Sequence, residues 1–319
     1  MRLTYTDIKQ AHFRNIGKAG QFADTNLMAD FNFNLGQRYQ TIFGTLAAYI
    51  TEDTQTFTTT NGTQYYTYPV GTQSLDSVTV TIGNVQYTLN PIYDQQTWNE
   101  LNALQIQPTA IPQFFFPRKD DFGIFPIPTS TYTGTFQRFY RDRNMLVDDY
   151  TTGTVTVTLN STTLTGSGTT FTPAMVGRWF TVTSQTVPGQ GYWYKVTGYT
   201  SATVLTLNTT WTQATASGAS YRIGESPEIP EDGHIMLPYG TASDYYSGLR
   251  NDEKNALRFD NMFWTGSYTN TSRAFGDDNI KSGLIGLANK YQARDRDNII
   301  ERKPGLISPK YKVWSYSIS

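Results

Sequence analysis

The chain has 319 residues with 25 Lys and Arg against 26 Asp and Glu, a formal net charge of −1. At roughly 100 to 200 residues per domain this is two domains, or one elaborated domain with an insertion, and the charge balance excludes the overall basic excess of a dedicated nucleic-acid binder. Cysteine is absent and only His12 and His234 carry an imidazole, so disulfides and thiolate sites are excluded and most histidine-based hydrolase or zinc constellations cannot be assembled from one chain.

The N-terminus, MRLTYTDIKQ, is polar and no run of about 18 apolar residues occurs, so neither an export signal nor a membrane span is expected. Leu27, Phe31, Leu35, Ile42, Phe43, Leu46 and Tyr49 recur at steps near three or four, which predicts a helix from about Asp24 to Tyr49, with Gly36 and Gly44 as its weak points. After the turn dipeptide Asn61-Gly62, Val78, Val80 and Ile82 alternate with polar residues, and Val85, Tyr87 and Leu89 answer across Gly83-Asn84 as a β-hairpin. Thr97 to Glu100 reads T-x-x-E, a capping box that would open a helix carrying Trp98, Leu101 and Leu104. Strands are expected over 114–116, 124–127 and 135–140.

Between Thr151 and Gly224 the composition changes: 22 Thr and three charged residues, Arg178, Lys195 and Arg222. Val155, Val157 and Leu159 interleave with Thr, Val204 to Leu207 follow a turn-prone Thr200-Ser201, and Gly166, Gly168, Gly177, Gly189 and Gly191 punctuate the run with turns. This predicts an inserted all-β module, a small barrel or sandwich with Trp179, Phe180, Trp193, Tyr194 and Trp211 as its core. A glycosylated Thr-rich stalk would need none of those aromatics. Beyond it, Pro230 with Glu231 and Asp232 predicts a helix start, a kink at Pro238, and a run through Tyr246, Leu249, Leu257 and Phe259 toward Trp264. A second amphipathic helix after Asp277-Asp278 would bury Ile280, Leu284, Leu287 and Tyr291. From Lys290 to Lys312 seven Lys and Arg (Lys290, Arg294, Arg296, Arg302, Lys303, Lys310, Lys312) face three acids, prolines forbid a continuous helix, and Trp314, Tyr316 and Ile318 then alternate with serines. Aromatics beside charges give this stretch something to bury, as an interface anchor does.

Chemistry-bearing patterns are sparse. Asp120-Asp121, Asp148-Asp149 and Asp277-Asp278 sit where turns or helix caps want Asp, and adjacent acids on a strand point apart. His12 and His234 have no third ligand candidate, so both are expected to be packed or solvated, and no metal or cofactor is assigned. No phosphate loop, dinucleotide fingerprint or nucleophile elbow occurs. Sequons at Asn61, Asn160, Asn208 and Asn270 are what a Thr-rich chain yields by chance. The chain is not expected to be an enzyme.

The order of the segments GTQYYTYPVGTQSLDSVTVTIGNVQYTL, FGIFPIP, GTFQRFYRDR and IPEDGHIMLPYGTASDYYSGL after an N-terminal helix resembles the head-to-tail adaptor (connector) proteins of tailed bacteriophages. GTVTVTLNSTTLTGSGTTFTPAMVGRWFTV with WYKVTGYTSATVLTL is similar to the β-barrel module that interrupts adaptors of some short-tailed phages. The resemblance implies an α+β chain. Its adaptor domain would be built from residues 1–150 (helices and a β region) and the C-terminal helices 225–289, interrupted by the all-β module 151–224 and followed by an extended docking arm, 290–319. It implies a homo-oligomeric ring, dodecameric to match a portal protein, joined to tail and nozzle proteins in the virion neck after assembly in the host cytoplasm. Double-stranded DNA would pass through it, and the module could dock tail fibres. Portal binding would fall to Lys290, Arg294, Arg296, Arg302, Lys303, Lys310, Lys312, Trp314 and Tyr316. The alternative is a β-rich tail-fibre or receptor-binding protein recognising host glycans, from which a pair of amphipathic helices after Ile229 would distinguish an adaptor.

Overall fold

The computed structural model describes residues 2–50, 52–69, 71–103, 111–140, 145–183, 191–269, 280 and 282–290, without the side chains of 47–50 and 52. The chain forms two compact units, one of Met1–Ile42 with Asn144–Ser319 and one of Phe43–Arg143. Residues 43–143 stand as a unit by themselves.

In the first unit, helix α1 (Tyr5–Asn15) opens with a capping box in which Thr4 accepts from the Asp7 amide and Asp7 from the Thr4 amide. Helix α2 (Thr25–Ile50) begins where the Asp24 carboxylate accepts from the amides of Asn26 and Leu27. The spacing of three and four buries Phe31, Leu35 and Ile42 in this unit, and Phe43 and Leu46, which fall in the other, are buried as well.

The 43–143 unit is a sandwich. One sheet is ordered β1-β8-β3-β4 (Glu52–Thr58, Thr133–Tyr140, Thr72–Ile82, Val85–Thr88) and the other β2-β7-β6-β5 (Tyr65–Thr67, Asp121–Phe125, Phe114–Pro117, Asn90–Pro91). Val78, Val80 and Phe136 from the first meet Phe115, Phe122 and Ile124 from the second. The hairpin β3/β4 pairs Val80 with Tyr87 and Ile82 with Val85 across Gly83-Asn84. Helix α3 (Gln95–Asn102) lays Trp98 flat on Phe116, ring centroids 5.1 Å apart. Gly123 is required beneath it, since a Cβ there would lie 2.5 Å from the indole. The capping box expected at Thr97 is not formed. The N-cap is Asp94, whose carboxylate accepts from the Thr97 amide, and Glu100 instead accepts from Gln96 one turn earlier. The helix starts earlier because an ionised acid is the stronger acceptor for the orphan amides.

Residues 151–224 build a seven-stranded antiparallel sheet in the first unit. Its order is β14-β9-β10-β13-β12-β11-β15 (Ala216–Ala219, Thr154–Val157, Thr163–Ser167, Val204–Leu207, Tyr194–Ser201, Trp179–Val182, Tyr221–Gly224). β14 and β15 occupy opposite ends of that order yet are joined through Ser220 alone, so the sheet must roll until its edges meet. Phe180, Tyr194 and Trp211 lie in the core this encloses, with Val155, Leu164, Leu205 and Ile223. Trp179 and Trp193 do not; both are half-buried on the outside. Trp179 faces out because it precedes Phe180 on β11 and neighbours on a strand face opposite ways, whereas Trp193 lies in the segment just before β12. The turn expected at Thr200-Ser201 falls at Ala202-Thr203, with Ser201 opposite Val204.

Three helices follow: α4 (Glu231–His234), α5 (Met236–Gly248) and α6 (Glu253–Thr265), with residues 283–290 also helical. Pro230 is the N-cap of α4, and the break falls at Ile235, with Pro238 accommodated in the first turn of α5. The continuous run toward Trp264 is interrupted: α5 ends at Gly248, Asn251 takes a left-handed φ of 50°, and Asp252 caps α6 by accepting from the Asn255 amide. α5 is also not amphipathic. Met236, Leu237, Gly240, Thr241, Ala242, Ser243 and Tyr245 are all buried, which makes it the central helix of its unit. Ile280, Leu284 and Leu287 are buried as expected, whereas Asp277, Asp278 and Tyr291 lie outside the described residues.

Candidate functional site

The densest polar constellation of the described residues joins the start of the chain to the rolled sheet. Arg222 on β15 reaches Asp7 of α1 at 2.8 Å and Asp149 at 3.4 Å. Thr4 Oγ1 donates to Asp149 Oδ2 at 2.9 Å, and the Asp149 amide donates to Thr6 Oγ1. Burial raises the Asp149 carboxyl above the ordinary aspartate value, opposed by Thr4 and by the Arg222 charge. Gly224 leaves the space that Asp149 and Thr4 occupy. Its neighbour Glu225 accepts from the amides of Leu146 and Val147 at 2.8 and 3.0 Å and lies 3.9 Å from Arg178. Asp148 pairs with Lys9. The acidic pair 148–149 thus serves as a clasp, each carboxylate facing a different cation, and Asp121 likewise pairs with Arg118.

Both histidines are packing groups. His12 is buried against Phe13, Phe31 and Tyr245, with Nδ1 2.9 Å from Thr241 Oγ1, and desolvation lowers its pKa to about 3. His234 accepts from the Leu3 amide on Nδ1 and donates from Nε2 to the Ile229 carbonyl, and burial brings it to about 4. Both are neutral at pH 7. Among the described residues no group of three His, Cys, Asp or Glu is placed to hold a metal ion, and no helix is long and apolar enough to cross a membrane.

Two clefts open on this unit. One, of about 370 Å³, is lined by Arg2, Thr181, Thr183, Trp193, Arg222 and Glu231. Both tryptophans left outside the sheet core find cations from this lining: Arg222 lies 4.8 Å over Trp193 within the cleft, and Arg2 lies 3.4 Å over Trp179, which does not line it. The other, of about 350 Å³, is lined by Ile235, Met236, Tyr239, Met262 and Leu287 with Asp232 and Lys290 at its rim. Lys290, the first residue of the expected docking arm, lies in the helical residues 283–290 and bonds Asp232 at 2.7 Å. Arg294, Arg296, Arg302, Lys303, Lys310, Lys312, Trp314 and Tyr316 lie outside the described residues. Sequence reasoning missed the Asp7–Arg222–Asp149 clasp, which joins residues more than 70 positions apart and leaves no local spacing to read.

The clasp ties α1 to the strands that follow residue 150, and comparison with known proteins says what kind of chain is built this way. A family model described as SU10 adaptor protein matches residues 3–164, from the first turn before α1 through the whole 43–143 sandwich and into β10. It is a family of phage structural proteins of the head-to-tail adaptor class. The chain belongs to the SU10 adaptor protein family. No curated protein matches it.

Proposed function

We propose that the protein closes into a ring, dodecameric to match a portal, that joins the portal to the tail in the virion neck and leaves an axial channel for double-stranded DNA. The observation that carries this is the family match over α1, α2 and the complete 43–143 unit. It favours the adaptor over the tail-fibre alternative. Ring contacts are heterologous, one patch of each copy on a different patch of the next. The helices supply candidate patches: Phe33 on α2 is 67% exposed, Leu257 on α6 51% and Leu249 just before it 55%, alongside exposed Ile235, Leu146 and Val147. A net charge of −1 lets DNA slide without tight phosphate neutralisation. The role is structural, without catalysis. The rolled sheet of residues 151–224 serves as an insertion that offers its outer face to fibres or tail proteins, and residues 290–319 serve as the docking arm, their basic side chains steering it to the portal and Trp314 and Tyr316 supplying its apolar anchors.

Mass measurement of the protein with purified portal tests this. A complex carrying many copies per portal is expected, and free protein that is monomeric is compatible with it, since a ring can form on its template. Protein that never co-migrates with portal contradicts it.

A further inference from the structure

The outer strands of the 43–143 sandwich are not alike. β1 opens on Glu52 and Asp53, β2 has three residues, and β5 is Asn90 and Pro91. Charge, shortness and proline are each ways of keeping an edge from pairing with another chain. β4, Val85-Gln86-Tyr87-Thr88, has no charge and no proline, and all four residues are exposed. Its register on β3, with the bond from the Leu89 amide to the Val78 carbonyl, makes 82/85, 80/87 and 78/89 the hydrogen-bonded pairs. The backbone groups of Gln86 and Thr88 therefore point to the open side. Val85 and Tyr87 share a face with Val78 and Val80, which are fully buried, yet they are 53% and 37% exposed. Among the described residues an unpaired edge and an uncovered apolar strip coincide.

We propose that this edge receives residues 313–319 of a second copy of the chain as an added strand, so that each copy in the ring is stitched to the next. Val313-Trp314-Ser315-Tyr316-Ser317-Ile318-Ser319 is uncharged and alternates strictly. Laid beside β4, it places Trp314, Tyr316 and Ile318 on the Val85/Tyr87 face and Ser315 and Ser317 beside Gln86 and Thr88. Charge agrees: residues 43–117 contain five acids (Glu52, Asp53, Asp76, Asp94, Glu100) and no Lys or Arg, whereas 290–312 carries seven Lys and Arg against three acids. Those 23 residues can span up to about 75 Å, enough to leave the parent copy. The inference rests on the ring reading, and on it the basic stretch stays at the portal while the aromatics anchor on the neighbouring adaptor.

Because the chain has no cysteine, single thiols report pairing cleanly. Chains with Gln86→Cys and chains with Ser317→Cys or Ser315→Cys are mixed on portal and oxidised. A mixed disulfide dimer is expected as the main covalent product, several-fold above either same-site dimer. Tyr87→Asp, at an exposed position, is expected to abolish that dimer and lower the number of copies retained on portal at least tenfold at limiting concentration. Multi-copy complexes on portal with mixed dimers no higher than same-site dimers at both serines overturn the strand addition and leave the ring reading standing. Failure to form any multi-copy complex removes both. Disulfide formation within a diluted chain carrying both cysteines overturns the second copy as occupant, since the tail then caps its own sheet.

Discussion

Replacing Trp211 by alanine removes a side chain with no exposed surface, whose ring lies 5.0 Å from Tyr194 and 6.3 Å from Phe180 and whose Nε1 donates to the Ala214 carbonyl at 2.9 Å. A large-to-small change of this kind costs about 3–5 kcal/mol, through lost burial and the cavity left behind. The same substitution at Trp193 removes a half-buried ring whose principal partner is the Arg222 guanidinium at 4.8 Å, a contact of about 0.5–1 kcal/mol. If the rolled sheet unfolds as a unit of 60–100 residues, each kcal/mol moves its midpoint by about 4–8 °C. Trp211→Ala should then lower that midpoint by about 12–40 °C and Trp193→Ala by about 2–8 °C. Near-UV circular dichroism during heating reads both variants against the parent. Equal losses, or a larger loss at Trp193, would refute the placement of Trp211 inside the sheet core and Trp193 outside it.

Arg38 donates to both oxygens of Asp244 (2.9 and 2.6 Å) and to Asp260 at 3.2 Å, so Arg38→Ala strands two partly buried carboxylates. A loss of about 2–4 kcal/mol is expected in urea unfolding, with Arg38→Lys retaining part of it. The histidines fix a pH dependence. Their folded pKa values, about 3 for His12 and about 4 for His234, lie below the unfolded value of 6.5, so the unfolded state binds the extra protons. Stability is full above about pH 6.5 and falls toward pH 4 by up to about 1.4 kcal/mol per pH unit for each histidine. His12→Gln should roughly halve that slope, and an unchanged slope in the variant would contradict the buried placement. Gly123→Ala should cost about 1–3 kcal/mol by driving a methyl into Trp98, visible as a shifted thermal midpoint. Truncation after Asn289 should abolish portal binding in co-sedimentation without changing the far-UV spectrum. Trp314→Ala should weaken binding more than Lys312→Ala, because a buried aromatic contributes about 2 kcal/mol or more and a rim charge acts chiefly on association rate.

Local patterns carried much of the fold. The steps of three and four through Phe31, Leu35, Ile42 and Leu46 gave α2, and alternation around Gly83-Asn84 gave the β3/β4 hairpin, because one buried face imposes its period on the sequence. Where two residues competed for one local role, the spacing alone misled. Thr97 and Asp94 can each cap α3, and the stronger acceptor moved the start by a turn. A signal for the α5–α6 break was present in Asn251-Asp252-Glu253, a residue tolerant of positive φ followed by a capping acid and a first-turn Glu, but the apolar spacing runs across it. Counting aromatics overstates the core of the rolled sheet for a different reason: Trp179 starts β11 on the face opposite Phe180, and Trp193 precedes β12, so neither enters the core that Phe180 and Tyr194 share. The site was the least legible part, since Asp7, Asp149 and Arg222 meet only through the fold, and the family resemblance, not local spacing, pointed to the adaptor role.

Electron microscopy of the purified protein mixed with its portal reads the proposed ring itself. A ring of adaptor copies stacked coaxially on one face of the portal is expected, with one continuous channel through both. Portal rings with bare faces beside dispersed monomers, at concentrations well above those of assembly, would contradict it.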